Sequence, residues 1–130
     1  MTVREIKMNF GRNFEGELFA PRHQVKVGVD DGTLEPYDML FGALGSCVYA
    51  TFLDIVNKKK ITFDRAEVIV TGEKRKELPA TLKWVNIEFV IYGAENNKGI
   101  EKSSELAAKY CSIYTTIAQV AEMKIITTFA

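Results

Sequence analysis

The sequence predicts an α+β fold in which an antiparallel sheet wraps around one long, buried central helix. Three observations predict it. From Leu40 to Val56 only Ser46, Thr51 and Asp54 are neither hydrophobic nor Gly, and a helix apolar nearly all round has to be buried in a core or against a second subunit. Segments on either side of this run alternate apolar and polar residues, which is the period of half-buried strands. The elements come as three strands, the long helix, two strands, one or two helices and a last strand, an α+β order.

Val3 to Asn9 reads as the first strand, with Gly11-Arg12-Asn13 as a turn. Phe14 to Phe19 and Gln24 to Val29 read as the next two, Val25, Val27 and Val29 sharing one face. Thr33 is a candidate cap for the central helix, and Pro36 suits a first helical turn, where a missing N–H costs nothing. Asp38 near its start and Lys58 to Lys60 at its end both match the helix dipole. Phe63 to Lys74 and Trp84 to Tyr92 are strands, the second with Val85, Ile87, Phe89 and Ile91 on one face. Ile100 to Tyr110 has helical spacing and runs into Cys111. Thr115 or Thr116 is expected to cap a short helix through Val120, before a final strand from Lys124 to Phe129.

The length fits one domain spanning residues 1–130, large enough for a real core. Seventeen basic residues balance 17 acidic ones, so no global field draws in nucleic acid or anionic lipid. Lys58-Lys59-Lys60 and Lys74-Arg75-Lys76 read as solvated ends of elements. The start, MTVREIKMNF, has no apolar signal core, and no apolar run is expected to reach a membrane span. The chain is therefore expected in the cytoplasm, where structural disulfides are rare.

Two cysteines, Cys47 in the middle of the central helix and Cys111 after a later one, then suggest packing or thiol chemistry. Free Cys often packs as a small hydrophobe. The chemical alternative is peroxide reduction. A thiolate attacks one peroxide oxygen, a cation holds the thiolate and the developing oxyanion, and a second thiol converts the sulfenic acid to a disulfide. Other thiol chemistry fits worse. A papain-type protease needs a downstream His, whereas His23 is the only histidine and lies upstream. Two Cys and one His make a poor metal site, and no phosphate-binding or dinucleotide fingerprint is present. No metal and no cofactor is expected.

The segment Pro36-Tyr37-Asp38-Met39-Leu40-Phe41-Gly42-Ala43-Leu44-Gly45-Ser46-Cys47 resembles the cysteine helix of the OsmC/Ohr family. The strand ending Val70-Thr71-Gly72-Glu73-Lys74-Arg75, the Trp84 to Tyr92 strand after it, and Ala107-Ala108-Lys109-Tyr110-Cys111 are similar to the corresponding parts of that family. The short N-terminal half looks most like its OsmC-like branch. The resemblance implies an intertwined homodimer with each active site at the subunit interface. It also implies a peroxidase acting on organic hydroperoxides or hydrogen peroxide, with Cys47 as peroxidatic and Cys111 as resolving thiol, recycled by an external dithiol reductant.

By position Arg12 matches the family's catalytic Arg, with Arg22 as a second candidate. The family's peroxidases carry a Glu directly after the helix-start Pro; here that position is Tyr37, and Asp38, one residue on, is the candidate acid. Ser112 follows the second cysteine, where the peroxidases commonly have Pro. A homodimer is also what a 130-residue chain with so apolar a helix calls for. The rival expectation is a dimer that is no peroxidase and binds a small hydrophobic molecule in its apolar interface cleft, its cysteines serving as packing; Tyr37 in place of an acid and the many aromatics (Phe41, Tyr49, Phe52, Trp84, Tyr114) favour it. No nucleic-acid or membrane partner is expected.

Overall fold

A computed structural model describes residues 3–130. The described residues form two compact units, one up to Leu40 and the other from Phe41 to Ala130.

In the first unit, β1 (Lys7–Phe10), β2 (Gly16–Phe19) and β3 (Gln24–Val27) form an antiparallel meander in the order β1-β2-β3. Gly16 faces Phe10 across β1 and β2 and Val27 across β2 and β3. A Cβ on Gly16 would lie 2.2 Å from the Asn9 carbonyl oxygen, so only glycine fits this crossing. The sequence placed the first strand at Val3 to Asn9; it begins four residues later and ends at Phe10. The physical reason is pairing: β2 offers only four partners, and the step from Val3 to Ile6 is not a strand period. Phe14 likewise sits in the turn, its ring stacked 5.7 Å from Phe10. β3 stops at Val27, because the Gly28 N–H turns to the Leu34 carbonyl and the Leu34 N–H to the Lys26 carbonyl.

The central helix, α1 (Pro36–Lys59), starts at the expected proline. Thr33 is not its cap. The Thr33 hydroxyl donates to the Asp30 carbonyl at 2.6 Å within the turn that holds Gly32 at φ 82°. It is Asp38 that serves the helix start, accepting the Glu35 N–H at 2.8 Å.

In the second unit, β4 (Arg65–Lys74), β5 (Leu82–Tyr92) and β6 (Glu122–Phe129) form a sheet with β5 in the middle. β4 pairs with β5 antiparallel, but β5 pairs with β6 in parallel, from Trp84↔Glu122 to Ile91↔Phe129. The wholly antiparallel sheet expected from the sequence is corrected on that side. The crossover through α2 (Asn97–Tyr110) and α3 (Ser112–Ala118) returns the chain to the end at which β5 began.

The core of this unit is a stripe of α1 set against one face of β5. Leu44, Val48, Phe52 and Val56 recur every four residues and are fully buried, as are Val85, Ile87, Phe89 and Ile91 on alternate positions of β5. Phe52 joins the two layers, its ring 5.1 Å from Phe89, 5.7 Å from Phe63 and 5.9 Å from Tyr49. Ile100 and Ala107 of α2 and Ile117 of α3 close the core. The helical run Pro36–Lys58, 23 residues, contains an 18-residue window of mean hydropathy 1.7, which by length and composition alone is enough to cross a membrane. That corrects the expectation that no run approaches such a length. Within that window 28% of the residues are buried, and it is the stripe of Leu44, Val48, Phe52 and Val56 that packs into the core.

The helix boundaries in the second half also move. α2 begins at Asn97, because the Asn96 side chain accepts the Gly99 N–H at 2.9 Å. α3 begins at Ser112 with Cys111 as its cap, so Thr115 and Thr116 lie inside it. The Thr116 hydroxyl donates back to the Ser112 carbonyl at 2.9 Å, the bond a threonine makes within a helix.

Candidate functional site: a facing thiol pair

Cys47 projects from one flank of the buried α1 stripe. It lies three residues after Leu44, and at about 100° per residue this rotates it roughly 60° off the line through Leu44. That position leaves it half-buried, between the core and the surface. Thr51, one turn on, donates its hydroxyl to the Cys47 carbonyl at 3.0 Å.

Cys111 occupies the break between α2 and α3. Its N–H closes the last turn of α2 on the Ala107 carbonyl at 2.9 Å. Its backbone is then extended (φ −75°, ψ 122°), which ends one helix and starts the next. The turn aims the side chain inward, and Cys111 is 1% exposed. Its thiol donates to Cys47 Sγ at 3.1 Å and accepts the Tyr114 N–H at 3.5 Å.

The two sulfurs are thus in direct contact as free thiols, against a bonded separation of about 2.05 Å. Burial pushes the Cys111 thiol pKa up, as does the neighbouring Cys47, while the backbone N–H groups of Tyr114 and Ile113 act to lower it; the net direction is up. Cys111 is therefore held protonated and dry beside a more accessible sulfur. Chemically, the arrangement suits a thiol that waits for Cys47 to be oxidised and then condenses with it.

On the other flank of the α1 stripe an apolar pocket of about 430 Å³ is lined by Phe41, Gly42, Gly45, Ser46, Tyr49, Val68 and Val70. It forms where the helix comes close to β4: a Cβ on Gly45 would lie 3.1 Å from Val70 and 3.3 Å from Val68. Cys47 is not among its lining residues. Burial pushes the Tyr49 hydroxyl pKa up, keeping a neutral phenol at the wall.

Four further candidates, Arg12, Arg22, His23 and Asp38, belong to the first unit. Arg12 is exposed in the β1–β2 turn, and Arg22 and His23 are exposed between β2 and β3. Asp38 is exposed in the first turn of α1, bonded to the Glu35 N–H. Of the aromatics, Tyr49 reaches the pocket and Phe52 the core, whereas Trp84 and Tyr114 are half-buried away from it. Two parts of the site escaped the sequence reading. The Tyr114 amide has no side-chain signal, and Val68 and Val70 read as ordinary strand residues until the helix is laid on them.

Sequence and fold together define a family. The model of the OsmC-like protein family matches residues 29–126, and the chain belongs to it. Protein YhfA of Escherichia coli strain K12 is 29% identical over 112 residues, covering 83% of each chain. Among solved structures, an OsmC-like protein from Mycoplasma pneumoniae superposes with a TM-score of 0.87 at 17% identity, covering 99% of this chain and 98% of that one. An organic hydroperoxide resistance protein OsmC from Legionella pneumophila superposes with a TM-score of 0.78 at 16% identity, covering 98% of each. At these identities the structural likeness carries the fold.

Proposed function

We propose that the chain is a thiol-dependent peroxidase that reduces organic hydroperoxides or hydrogen peroxide through Cys47 and Cys111. The observation that carries this reading is the 3.1 Å contact between the two sulfurs, 64 residues apart in sequence. Packing alone asks only that each sulfur be buried, whereas disulfide chemistry asks that they meet. The family and the Legionella relative named for organic hydroperoxide resistance point the same way.

In the proposed cycle the Cys47 thiolate attacks the outer peroxide oxygen. The O–O bond breaks, its electron pair leaves with the alkoxide, and protonation gives the alcohol (water from hydrogen peroxide) and a Cys47 sulfenic acid. The Cys111 sulfur then attacks Cys47 Sγ and expels water, forming the Cys47–Cys111 disulfide. An external dithiol reduces it. Arg12 is the proposed cation for thiolate and oxyanion, and Asp38 the acid associated with it. A free dithiol fits a reducing compartment, so a cytoplasmic location belongs to the same proposal.

The homodimer also belongs to it. Gly42, Ala43, Ser46 and Ala50 make an exposed strip of small residues along α1, opposite the buried stripe. Small side chains let a second helix approach closely, and a symmetric partner is the commonest occupant of such a face.

The test is steady-state consumption of an alkyl hydroperoxide with dihydrolipoamide or dithiothreitol as reductant. Turnover by the wild type and none by Cys47→Ser supports the reading; equal consumption by both sinks it. A second reading, a dimer that binds a small hydrophobic molecule, is favoured by the apolar pocket that Cys47 does not line. Under it, ligand affinity is the same in Cys47→Ser and no peroxide is consumed by either protein.

A further inference from the structure

The two sulfurs of the pair differ in access, and this has a consequence for how the disulfide is reopened. Cys111 is 1% exposed, enclosed at the α2–α3 break, while Cys47 is half-buried on the flank of α1. The Tyr114 N–H already points at Cys111 Sγ from the first turn of α3. A thiol coming from outside therefore meets Cys47 first, and a backbone donor is in place for charge that develops on Cys111.

We infer that the reductant attacks Cys47 Sγ, so that the mixed disulfide forms on Cys47 and Cys111 is always the leaving thiol. The inference rests on the thiol cycle above. One thiolate of an external dithiol attacks Cys47 Sγ along the line of the S–S bond. A bond forms between the reductant sulfur and Cys47 Sγ, the Cys47–Cys111 bond breaks, and its electron pair goes to Cys111 Sγ. The Tyr114 N–H stabilises that sulfur until it takes up a proton. The second thiolate of the dithiol then attacks its own partner sulfur in the mixed disulfide. This releases Cys47 as a thiolate, ready for peroxide, and the reductant as a cyclic disulfide. The protein gains two electrons and the dithiol loses two.

The same geometry sets the reductant's form. A monothiol stops at the mixed disulfide unless a second molecule reaches Cys47, whereas a dithiol finishes at once because its second thiol is tethered there. Cys111 takes no part in contacting the reductant.

The test needs no peroxide. Wild-type protein is oxidised with diamide, exposed briefly to glutathione, quenched in acid, unfolded, alkylated with N-ethylmaleimide and digested. Mass spectrometry should find glutathione on Cys47 and N-ethylmaleimide on Cys111. The reverse pattern, an even distribution, or no adduct on either cysteine overturns the inference. A second measurement compares the single-cysteine variants with an aromatic disulfide reagent. Cys47 in Cys111→Ser should react faster than Cys111 in Cys47→Ser, roughly a hundredfold given the difference in access. Equal rates count against it. A protein that carries glutathione on Cys47 yet consumes no hydroperoxide keeps this inference and loses the peroxidase reading, so the two failures are told apart.

Discussion

The Cys111 thiol donates to Cys47 Sγ across 3.1 Å while its own sulfur receives the Tyr114 N–H at 3.5 Å. One cysteine thus has a hydrogen-bond partner on each side, and the other is half-open on the helix flank. The asymmetry assigns different work to the two positions, and it yields separate outcomes for the two serine variants.

Without external thiol, Cys111→Ser should consume about one equivalent of hydroperoxide and then stall, because Cys47 can still be oxidised but no protein thiol condenses with the sulfenic acid. Cys47→Ser should consume none. Stopped-flow peroxide loss, with dimedone labelling of the sulfenic acid, reads both. Equal dimedone labelling of the wild type and Cys111→Ser after one equivalent of hydroperoxide would remove Cys111 from the cycle.

Stability should respond to the Cys111 thiol at alkaline pH. Burial raises its pKa above the ordinary value of 9.0, so the folded state holds the proton more tightly than the unfolded chain does. The contribution is complete below the unfolded pKa and is lost as pH rises through the folded one, because there the native state binds more protons. Denaturation midpoints of the wild type should therefore fall as pH climbs past about 9, and fall less steeply for Cys111→Ser. Tyr49 and Tyr114, both raised from 10.0 by burial, add a later decline common to both proteins. Identical slopes in the two proteins between pH 8 and 9.5 (about the thiol range) would contradict the assignment.

Phe52→Ala should destabilise the fold by about 3–5 kcal/mol, the range for emptying a buried aromatic site. Phe52 is fully buried and its ring meets those of Phe89, Phe63 and Tyr49. Urea denaturation reads the loss directly. A change under 1 kcal/mol, about what an exposed site gives, would mean that α1 does not pack on β5 through this residue.

The helix face carrying Gly42, Ala43, Ser46 and Ala50 supplies a prediction about assembly. The wild type should sediment as a dimer at micromolar concentration, and Ala50→Arg as a monomer, since a long cation keeps a second helix away. A wild-type monomer, or a dimer indifferent to Ala50→Arg, excludes this face as the contact.

How much of this was legible in the sequence depended on whether a local pattern settled it. Leu44, Val48, Phe52 and Val56 recur every four residues, and Val85 to Ile91 alternate, so the core helix and its facing strand could be read directly. Cys47 and Cys111 were legible as a pair only through the family resemblance; nothing in a 64-residue separation says that two sulfurs meet. Pairing across space escaped the reading. The parallel β5–β6 ladder follows from where a two-helix crossover returns the chain. The helix caps at Asn96 and Cys111 follow from which side chain reaches an amide, and neither Thr33 nor Thr115 and Thr116 won that competition. The apolar pocket likewise exists only because Gly45 lets α1 close on Val68 and Val70.

The most direct test of the central claim is a single turnover followed by disulfide mapping. Reduced protein is mixed with one equivalent of cumene hydroperoxide, quenched, alkylated without reduction and digested. A peptide pair linked through Cys47 and Cys111 is expected, in yield equal to the alcohol formed. Both cysteines recovered as alkylated thiols, with the hydroperoxide unconsumed, would contradict it.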